Sequence, residues 1–338
     1  PANREQMTVL LNSVWTTVVD DISKSRKIPV DSLNVIATNL GARTPEMAKN
    51  KKLIDKIGYE DEFHDGIRKA LKVEKGEEYN KVNILDYARN VATTNEEYST
   101  KDRIAIIYAQ GEILSGEGDV TYIGEGSMRR SLEAARNDDN VKAIVLRIDS
   151  PGGSALTSEL IWREIELTKK KKPIVVSMGN LAASGGYYIA CNANTIFAEP
   201  NTITGSIGVF GTLPNFSPLA KKIGINAEQV RTHQNASGYS VFEPIDENYK
   251  NVVLEGVENI YKTFVSRVAT GRKMTFAQVD SIAQGRVWAG RDAIKVGLVD
   301  KMGGMDEAIK HAASLAKIKE YKTESFPEYD KTLQDMLH

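Results

Sequence analysis

A serine followed by two glycines is the first feature of this sequence that could carry out chemistry. Ser184 stands in the stretch LAASGGYYIA, directly before the pair Gly185 and Gly186. Small neighbours leave space for a substrate carbonyl, and a serine at a strand-to-helix turn would leave the N–H of Gly185 free beside its hydroxyl. The alternative is a small residue where two backbones pack closely. Ser184 is therefore a candidate nucleophile whose role depends on its surroundings.

A second candidate loop, DSPGGS at residues 149–154, follows an apolar run. Gly152 and Gly153 allow backbone angles that other residues resist, and glycines that open a helix can aim free N–H groups at an anion. A tight strand-to-helix turn is the simpler interpretation, and a phosphate loop is disfavoured because no Gly-Lys-Ser/Thr follows. Together with Ser184, this loop supplies what acyl transfer needs, with oxyanion donors from Gly153 and Gly185.

The residues alone do not identify a base for the serine proton. A serine hydroxyl is a poor nucleophile unless a neighbouring group accepts its proton. His233, in the polar stretch VRTHQNASG, follows Ser184 in the sequence, and no acidic residue at a suggestive spacing accompanies it. An exposed loop histidine is the alternative interpretation. Lys221 and Lys222 are expected at a solvated helix end.

The elements that must position these loops follow an α/β pattern from residue 101 onward. Short β-branched runs, typical of strands buried on both faces, lie at 104–109, 143–148, 174–178 and 195–198. Helical patterns alternate with them, one with an apolar face of Met128, Leu132 and Ala135, the other with a face of Leu156, Leu160, Ile161 and Ile165. This alternation predicts parallel βαβ units, in which ligands bind at the carboxyl ends of the strands.

The composition argues against several classes of function. The 338 residues include 44 basic and 45 acidic side chains, and this net charge of −1 argues against a nucleic-acid-binding face. The single cysteine, Cys191, excludes an internal disulfide, and four scattered histidines disfavour a zinc site. No stretch approaches the ~18 apolar residues needed to span a bilayer. The length allows one large domain or two modest ones.

Two segments of the chain resemble each other. Residues 14–37 align with 260–283 and, after a one-residue offset, residues 52–62 align with 297–307. Matched order over roughly fifty residues favours duplication over a chance similarity of helices. The second copy closes a domain that starts near residue 101, so the first copy is expected to be the tail of an earlier, truncated repeat. The predicted parts are this helical tail at 1–75, a polar linker at 76–100, a catalytic domain at 101–320 and a C-terminal tail at 321–338.

Three motifs in order carry a resemblance to a known family. With AIVLRIDSPGGS, VVSMGNLAASGGYYIA and NTITGSIGVFG at these spacings, the chain resembles the signal peptide peptidase A (protease IV) family of serine proteases, in its long, duplicated bacterial form. The resemblance covers essentially the whole chain. It implies an α/β fold of the Clp-protease/crotonase type, with repeated ββα-type units preceded here by the helical tail of an upstream repeat. It also implies peptide cleavage by a Ser-Lys dyad.

The resemblance assigns site residues motif by motif. They are Ser184 as the nucleophile, Gly152, Gly153 and Gly185 in the oxyanion hole, and Ser206 of TGSIG, which orients the general-base lysine. The lysine does not carry over, since the matching place holds Gln234, and in long members the functional lysine belongs to the first repeat. By the repeat offset, its loop would end just upstream of Pro1. The chain is therefore expected to be the C-terminal part of a long-form protease, with little activity by itself because the base is absent.

The resemblance also implies the protein's surroundings. Members of the family clear residual signal peptides from the membrane after secretion, so peptide substrates are expected. The implied location is the bacterial inner membrane, with the catalytic part on the extracytoplasmic, periplasmic side and an anchor upstream of this chain. Family assemblies imply a homo-tetramer. No cofactor, metal or nucleic acid is expected.

Two other classes of function stay open. A crotonase-like enzyme acting on acyl-CoA would share the fold and hold an enolate with paired glycine N–H groups, but its usual carboxylate and adenine pocket are not legible in the sequence. A non-catalytic assembly or peptide-binding module is the other alternative. The intact SGG and TGSIG motifs weigh against it.

Overall fold

The computed structural model describes residues 2–84, 87, 100–230 and 239–327. Contacts divide the chain into two compact units, one drawn from residues 14–99 and the other from residues 1–13 and 100–338. Helix α1 (Ala2–Arg26) contributes to both units, whereas the sequence patterns placed all of residues 1–75 in one part. No helix within the described ranges is long and apolar enough to cross a membrane.

The smaller unit consists of helices. After α1 come α2 (Val30–Thr38), α3 (Pro45–Asn50) and α4 (Glu60–Leu71). Its apolar core is small and consists of Val19, Ile28 and Leu33, with Ile22, Val30 and Leu53 packed against them. Helix α3 begins where the Thr44 hydroxyl accepts a hydrogen bond from the Met47 N–H at 3.2 Å, as an N-cap threonine does.

The larger unit is built around a mostly parallel eight-stranded sheet and a separate two-stranded sheet. Its strands are β1 (Arg103–Gln110), β2 (Glu112–Leu114), β3 (Tyr122–Gly124), β4 (Val141–Ser150), β5 (Ile174–Ala183), β6 (Thr195–Ala198), β7 (Ile203–Gly205), β8 (Val287–Ala289), β9 (Lys301–Met302) and β10 (Lys322–Phe326). Its helices are α5 (Glu125–Asn137), α6 (Ala155–Lys169), α7 (Gly185–Ala190), α8 (Ser217–Lys222), α9 (Glu247–Arg272), α10 (Phe276–Ile282), α11 (Gly290–Ala293) and α12 (Met305–Ala316). The main sheet runs β10-β1-β4-β5-β6-β9 with parallel pairing along this path, and β7 pairs in parallel with the end of β5. Strand β8 pairs antiparallel with β7, and β2 and β3 form the two-stranded sheet.

Strand β4 shows why these runs form strands. Ile144 and Leu146 belong to one apolar cluster. The residues that alternate with them, Ala143 and Val145, belong to a second cluster that includes Ala308 of α12. Successive side chains of a strand point to opposite faces, so both faces of the sheet are covered. A strand covered on both faces needs consecutive apolar residues. The four predicted runs are confirmed as β1, β4, β5 and β6.

The helix faces were predicted with unequal success. Helix α5 buries the three residues of its predicted face, Met128, Leu132 and Ala135. Of the face predicted for α6, the buried residues are Ile161 and Ile165. Leu156 and Leu160 are exposed, so that part of the prediction was wrong. The helix turns Ser158 inward instead. The Ser158 Oγ lies so close to Gly185 that a Cβ on that glycine would be only 2.6 Å away, so position 158 has room only for a small side chain.

Strand β10 lies beyond residue 320, where the catalytic domain was expected to end. It pairs in parallel with β1, with Lys322 opposite Arg103 and Phe326 opposite Ile107. Arg103 also forms an ion pair with Glu324 at 2.9 Å. An edge strand tolerates charged residues, so the sequence KTESF carried no apolar signal. Residues 322–326 thus belong to the main sheet of the larger unit.

Candidate active site

Ser184 occupies a sharp turn between a strand and a helix. Strand β5 ends at Ala183 and α7 begins at Gly185, so the serine alone joins them. Its φ of 53° and ψ of −121° are a strained combination for a non-glycine residue, costing on the order of 1–3 kcal/mol. The Ser184 N–H donates to the Gly205 carbonyl at 2.9 Å and its own carbonyl accepts from the Tyr188 N–H at 2.9 Å, while its hydroxyl caps no helix N–H. A strained strand-to-helix turn of this kind presents a serine Oγ as a nucleophile.

Two glycines with positive φ shape the loop at residues 149–154. Gly152 has a φ of 97° and Gly153 a φ of 148°. A Cβ on Gly153 would lie 2.1 Å from the Ile113 carbonyl oxygen, so strand β2 leaves room for glycine alone. The Gly152 N–H donates to the Ser150 Oγ at 3.1 Å, and its carbonyl accepts from the Ile113 N–H at 2.8 Å. Gly152 therefore fixes the loop, and its own N–H is already bonded.

The glycine loop and the serine turn touch each other. A Cβ on Gly152 would lie 2.5 Å from the Gly185 nitrogen, and a Cβ on Gly185 would lie 3.2 Å from the Gly153 nitrogen. Within the described part of the chain, neither the Gly153 N–H nor the Gly185 N–H donates to a protein acceptor. Two free donors beside Ser184 form the arrangement that stabilises an oxyanion.

A cavity of about 920 Å³ brings the predicted site residues together. Its lining includes Gly152, Gly153, Ser184, Gly185 and Ser206. Ser206 follows the end of β7, has a φ of 49° and donates its N–H to the Arg286 carbonyl at 2.7 Å. Its position beside the cavity is compatible with the orienting role that the resemblance implied.

One wall of the cavity is apolar, and its residues are not among those predicted from the sequence. It comes from helix α9, whose lining residues are Val257, Ile260, Tyr261 and Phe264. These positions have the i, i+3, i+4, i+7 spacing of one helix face, which is the signal that could have identified them. Phe210 also lines the cavity, although most of its side chain is exposed.

No lysine and no histidine is among the described residues that line the cavity. The lining contains Glu112 and two tyrosines that hydrogen bond to carboxylates. The Tyr188 hydroxyl donates to Glu159 Oε2 at 2.5 Å, and the Tyr261 hydroxyl donates to Asp280 Oδ1 at 2.5 Å. Burial, reinforced by these carboxylates, raises the pKa of Tyr188 and raises the pKa of Tyr261 to about 12. Both phenols stay neutral near pH 7, so neither accepts the serine proton.

The other basic candidates do not meet the site. His233 and Gln234 lie outside the described residues. Lys221 and Lys222 are exposed in the last turn of α8 and are not among the residues that line the cavity. The observed geometry therefore places a serine hydroxyl beside two N–H groups that have no acceptor among the described residues, while the described lining supplies no amine or imidazole base.

Known proteins resemble the chain along most of its length. The profile described as Peptidase family S49 matches residues 1–74 and 166–319. The chain belongs to this family. The S49 family is thus the one indicated by the three sequence motifs, and that prediction is confirmed. The mixed α/β architecture with a mostly parallel sheet is consistent with it.

Three relatives show how much of a known protein's length this S49 chain matches. It is 35% identical to Protease 4 of Haemophilus influenzae, over 90% of this chain and 51% of that protein. It is 35% identical to Protease 4 of Salmonella typhi, over 100% of this chain and 55% of that protein. It is 36% identical to the chloroplastic serine protease SPPA of Arabidopsis thaliana, over 94% of this chain and 47% of that protein. The chain spans about half the length of these relatives.

Proposed function

We propose that Ser184 is the nucleophile of a serine endopeptidase that cleaves peptides through an acyl-enzyme. The observation that carries this proposal is the strained turn at Ser184, with the free N–H groups of Gly153 and Gly185 beside it. Membership of an S49 peptidase family whose relatives are named proteases supports the reaction class.

The reaction is acyl transfer in two stages. The Ser184 Oγ attacks the scissile carbonyl carbon while its proton passes to a neutral amine, and the carbonyl oxygen becomes an oxyanion held by the Gly153 and Gly185 N–H groups. The C–N bond then breaks, and the ammonium returns the proton to the departing amine. Water hydrolyses the resulting ester by the same route, with the amine again accepting a proton.

We assign the amine to a lysine from the first repeat of the longer protein, making a Ser-Lys dyad. The absence of an amine among the described lining residues and the double length of the relatives support this assignment. Desolvation disfavours an ammonium, so a buried lysine can be neutral near pH 7. Ser206 would orient it. Residues 1–338 by themselves are then expected to cleave peptides at least about 1,000-fold more slowly than the longer protein.

Residual signal peptides are the proposed substrates, and the apolar wall of α9 suits their apolar side chains. We propose that the protein acts as a homo-tetramer at the bacterial inner membrane. An upstream segment would anchor it there, with the catalytic part on the periplasmic side.

The test compares the full-length protein with its Ser184→Ala variant on an apolar peptide. Cleavage by Ser184→Ala is expected to fall at least about 1,000-fold, and labelling by a fluorophosphonate is expected to disappear. Ser281→Ala, which changes an exposed serine of α10, is the control and should keep both. Retained cleavage by Ser184→Ala would exclude the assignment.

The same experiment separates the competing functions. Retention on immobilised CoA without fluorophosphonate labelling would favour a crotonase-like enzyme. Peptide binding without cleavage by the wild type would favour a non-catalytic module.

A further inference from the structure

The carboxylate of Glu159, on helix α6, contacts side chains from two other helices behind the cavity. It accepts the Tyr188 hydroxyl of α7 at 2.5 Å, and it accepts two hydrogen bonds from Arg267 of α9, from Nη2 at 2.5 Å and from Nε at 3.2 Å. All three side chains are at least partly buried. One carboxylate therefore joins the three helices that surround the nucleophile.

Each of these helices carries a part of the candidate site. Helix α6 begins directly after the loop of Gly153, and α7 begins directly after Ser184. Tyr188 lies one turn into α7, lines the cavity and packs its ring 4.6 Å from that of Phe264 on α9. A shift of any one helix would therefore change the shape of the cavity next to the nucleophile.

Helix α9 is buried mainly along its second half. Its buried residues are Phe264, Val265 and Val268, all in its second half. Arg267 lies among them, with its guanidinium 4.0 Å from the centroid of the Trp162 ring of α6, so that it is held between an aromatic face and the Glu159 carboxylate. The Glu159 hydrogen bond raises the pKa of Arg267, and burial together with that carboxylate raises the pKa of Tyr188, so both donors keep their protons.

We propose that Glu159 is a positioning residue that fixes the Tyr188 ring and the α9 wall, and thereby sets which apolar side chains the cavity accepts. This inference rests on the proposed peptidase function. Glu159 itself is not among the lining residues, and it acts through Tyr188 and Arg267. Its loss is expected to weaken binding of a bulky apolar side chain while leaving the Ser184 turn and its oxyanion donors intact, since no hydrogen bond of those groups involves Glu159.

The test uses the full-length enzyme and a pair of peptides that differ only in one side chain, alanine or leucine. The measured quantity is the KM ratio, which is KM for the leucine peptide divided by KM for the alanine peptide. Glu159→Ala is expected to raise this ratio about tenfold. The rate of Ser184 labelling by a small fluorophosphonate is expected to change by less than about twofold. Glu159→Gln, which keeps an acceptor for Tyr188, should give an intermediate KM ratio.

Glu164→Ala is the matched control. Glu164 is also on α6 and forms an ion pair with Arg136 at 2.9 Å, and neither residue lines the cavity. This variant is expected to leave the KM ratio unchanged even where its thermal midpoint falls as far as that of Glu159→Ala. An equal KM ratio in Glu159→Ala and the wild type overturns the inference, and so does a changed ratio in Glu164→Ala.

A second variant and the Ser184→Ala measurement keep the test decisive. If Glu159→Ala cannot be purified folded, Tyr188→Phe removes only the hydroxyl that Glu159 holds, and it should shift the KM ratio in the same direction by a smaller factor. If Ser184→Ala still cleaves the peptides, the proposed function fails and takes this inference with it. If only the Glu159 series fails, the peptidase assignment stands and positioning by Glu159 is overturned.

Discussion

The two similar segments, at residues 14–62 in the helical unit and 260–307 in the α/β unit, form the same local bonds in different surroundings. Arg26 donates to Asp55 through both terminal nitrogens, at 3.1 and 2.9 Å, and its Nε donates to the Lys52 carbonyl at 2.9 Å. Arg272 donates to Asp300 at 2.9 and 2.6 Å, and its Nε donates to the carbonyl of Gly297 at 2.9 Å. The residue after each arginine is a lysine with positive φ, 55° at 27 and 56° at 273. A duplicated segment would be expected to share such bonds, and duplication itself stays a prediction.

Burial separates the two segments. The Arg272 side chain is 7% exposed, whereas that of Arg26 is 26% exposed. Leu298 is fully buried and its carbonyl accepts from the Tyr187 hydroxyl at 2.9 Å, while the matching Leu53 is only half-buried. Short-range sequence therefore sets the bonds within each segment. We expect the surface on which a segment packs to set how much each bond contributes to stability.

The largest expected difference is between Leu298→Ala and Leu53→Ala. Removing the fully buried leucine should lower the free energy of unfolding by about 2–5 kcal/mol, because a cavity remains in a close-packed core. The half-buried one should cost less than about 1.5 kcal/mol. Urea unfolding, with hydrogen exchange to locate the destabilised segment, measures both. Equal costs would break the comparison.

A smaller difference is expected between Asp300→Asn and Asp55→Asn. Asp300 also accepts the Ile196 N–H at 2.8 Å, and its neutralisation leaves the buried Arg272 without its charged partner. We expect a loss of about 1–3 kcal/mol in the free energy of unfolding. Asp55 has 84% of its side chain exposed, and its neutralisation should cause no resolvable change in the same measurement. A comparable loss at both positions would show that burial does not distinguish the two ion pairs.

The smallest expected effect concerns a histidine just beyond the second segment. His311 lies four residues past residue 307, and continuing the alignment places Gly66 at the matching position. Burial and the neighbouring Lys301 lower the pKa of His311, against the opposing charge of Asp300. As pH falls below about 6.5 the unfolded chain binds a proton before the folded chain does, so stability is lost on acidification.

Thermal midpoints at pH 7.5 and pH 5.5 test this effect. The wild type should lose more on acidification than His311→Gln, whose amide can still bond the Thr195 hydroxyl that His311 contacts at 3.0 Å. An equal loss in the two proteins would contradict the assignment of this titration to His311.

Much of the candidate site was accessible from short motifs. The serine and glycine loops follow apolar runs, and parallel strands bring the ends of neighbouring runs to one edge of the sheet, so Ser184 and Gly153 were expected to lie close together. The wall of α9 was missed because it is about 75 residues away in sequence and its apolar spacing is also that of an ordinary core helix. The Glu159 carboxylate was missed for the same reason, since its partners lie on two other helices.

Strands β1, β4, β5 and β6, the family and the residues at the Ser184 turn could be predicted from the sequence. They depend on local periodicity and on glycines at fixed positions. Only the tertiary structure decided which glycine N–H groups are free. Gly152 and Gly153 are alike in sequence, yet the N–H of Gly152 is bonded to Ser150, whereas that of Gly153 has no acceptor among the described residues. Only packing decided that α6 turns Ser158 rather than Leu156 inward, since the closeness of Gly185 to that helix depends on how three separate segments meet.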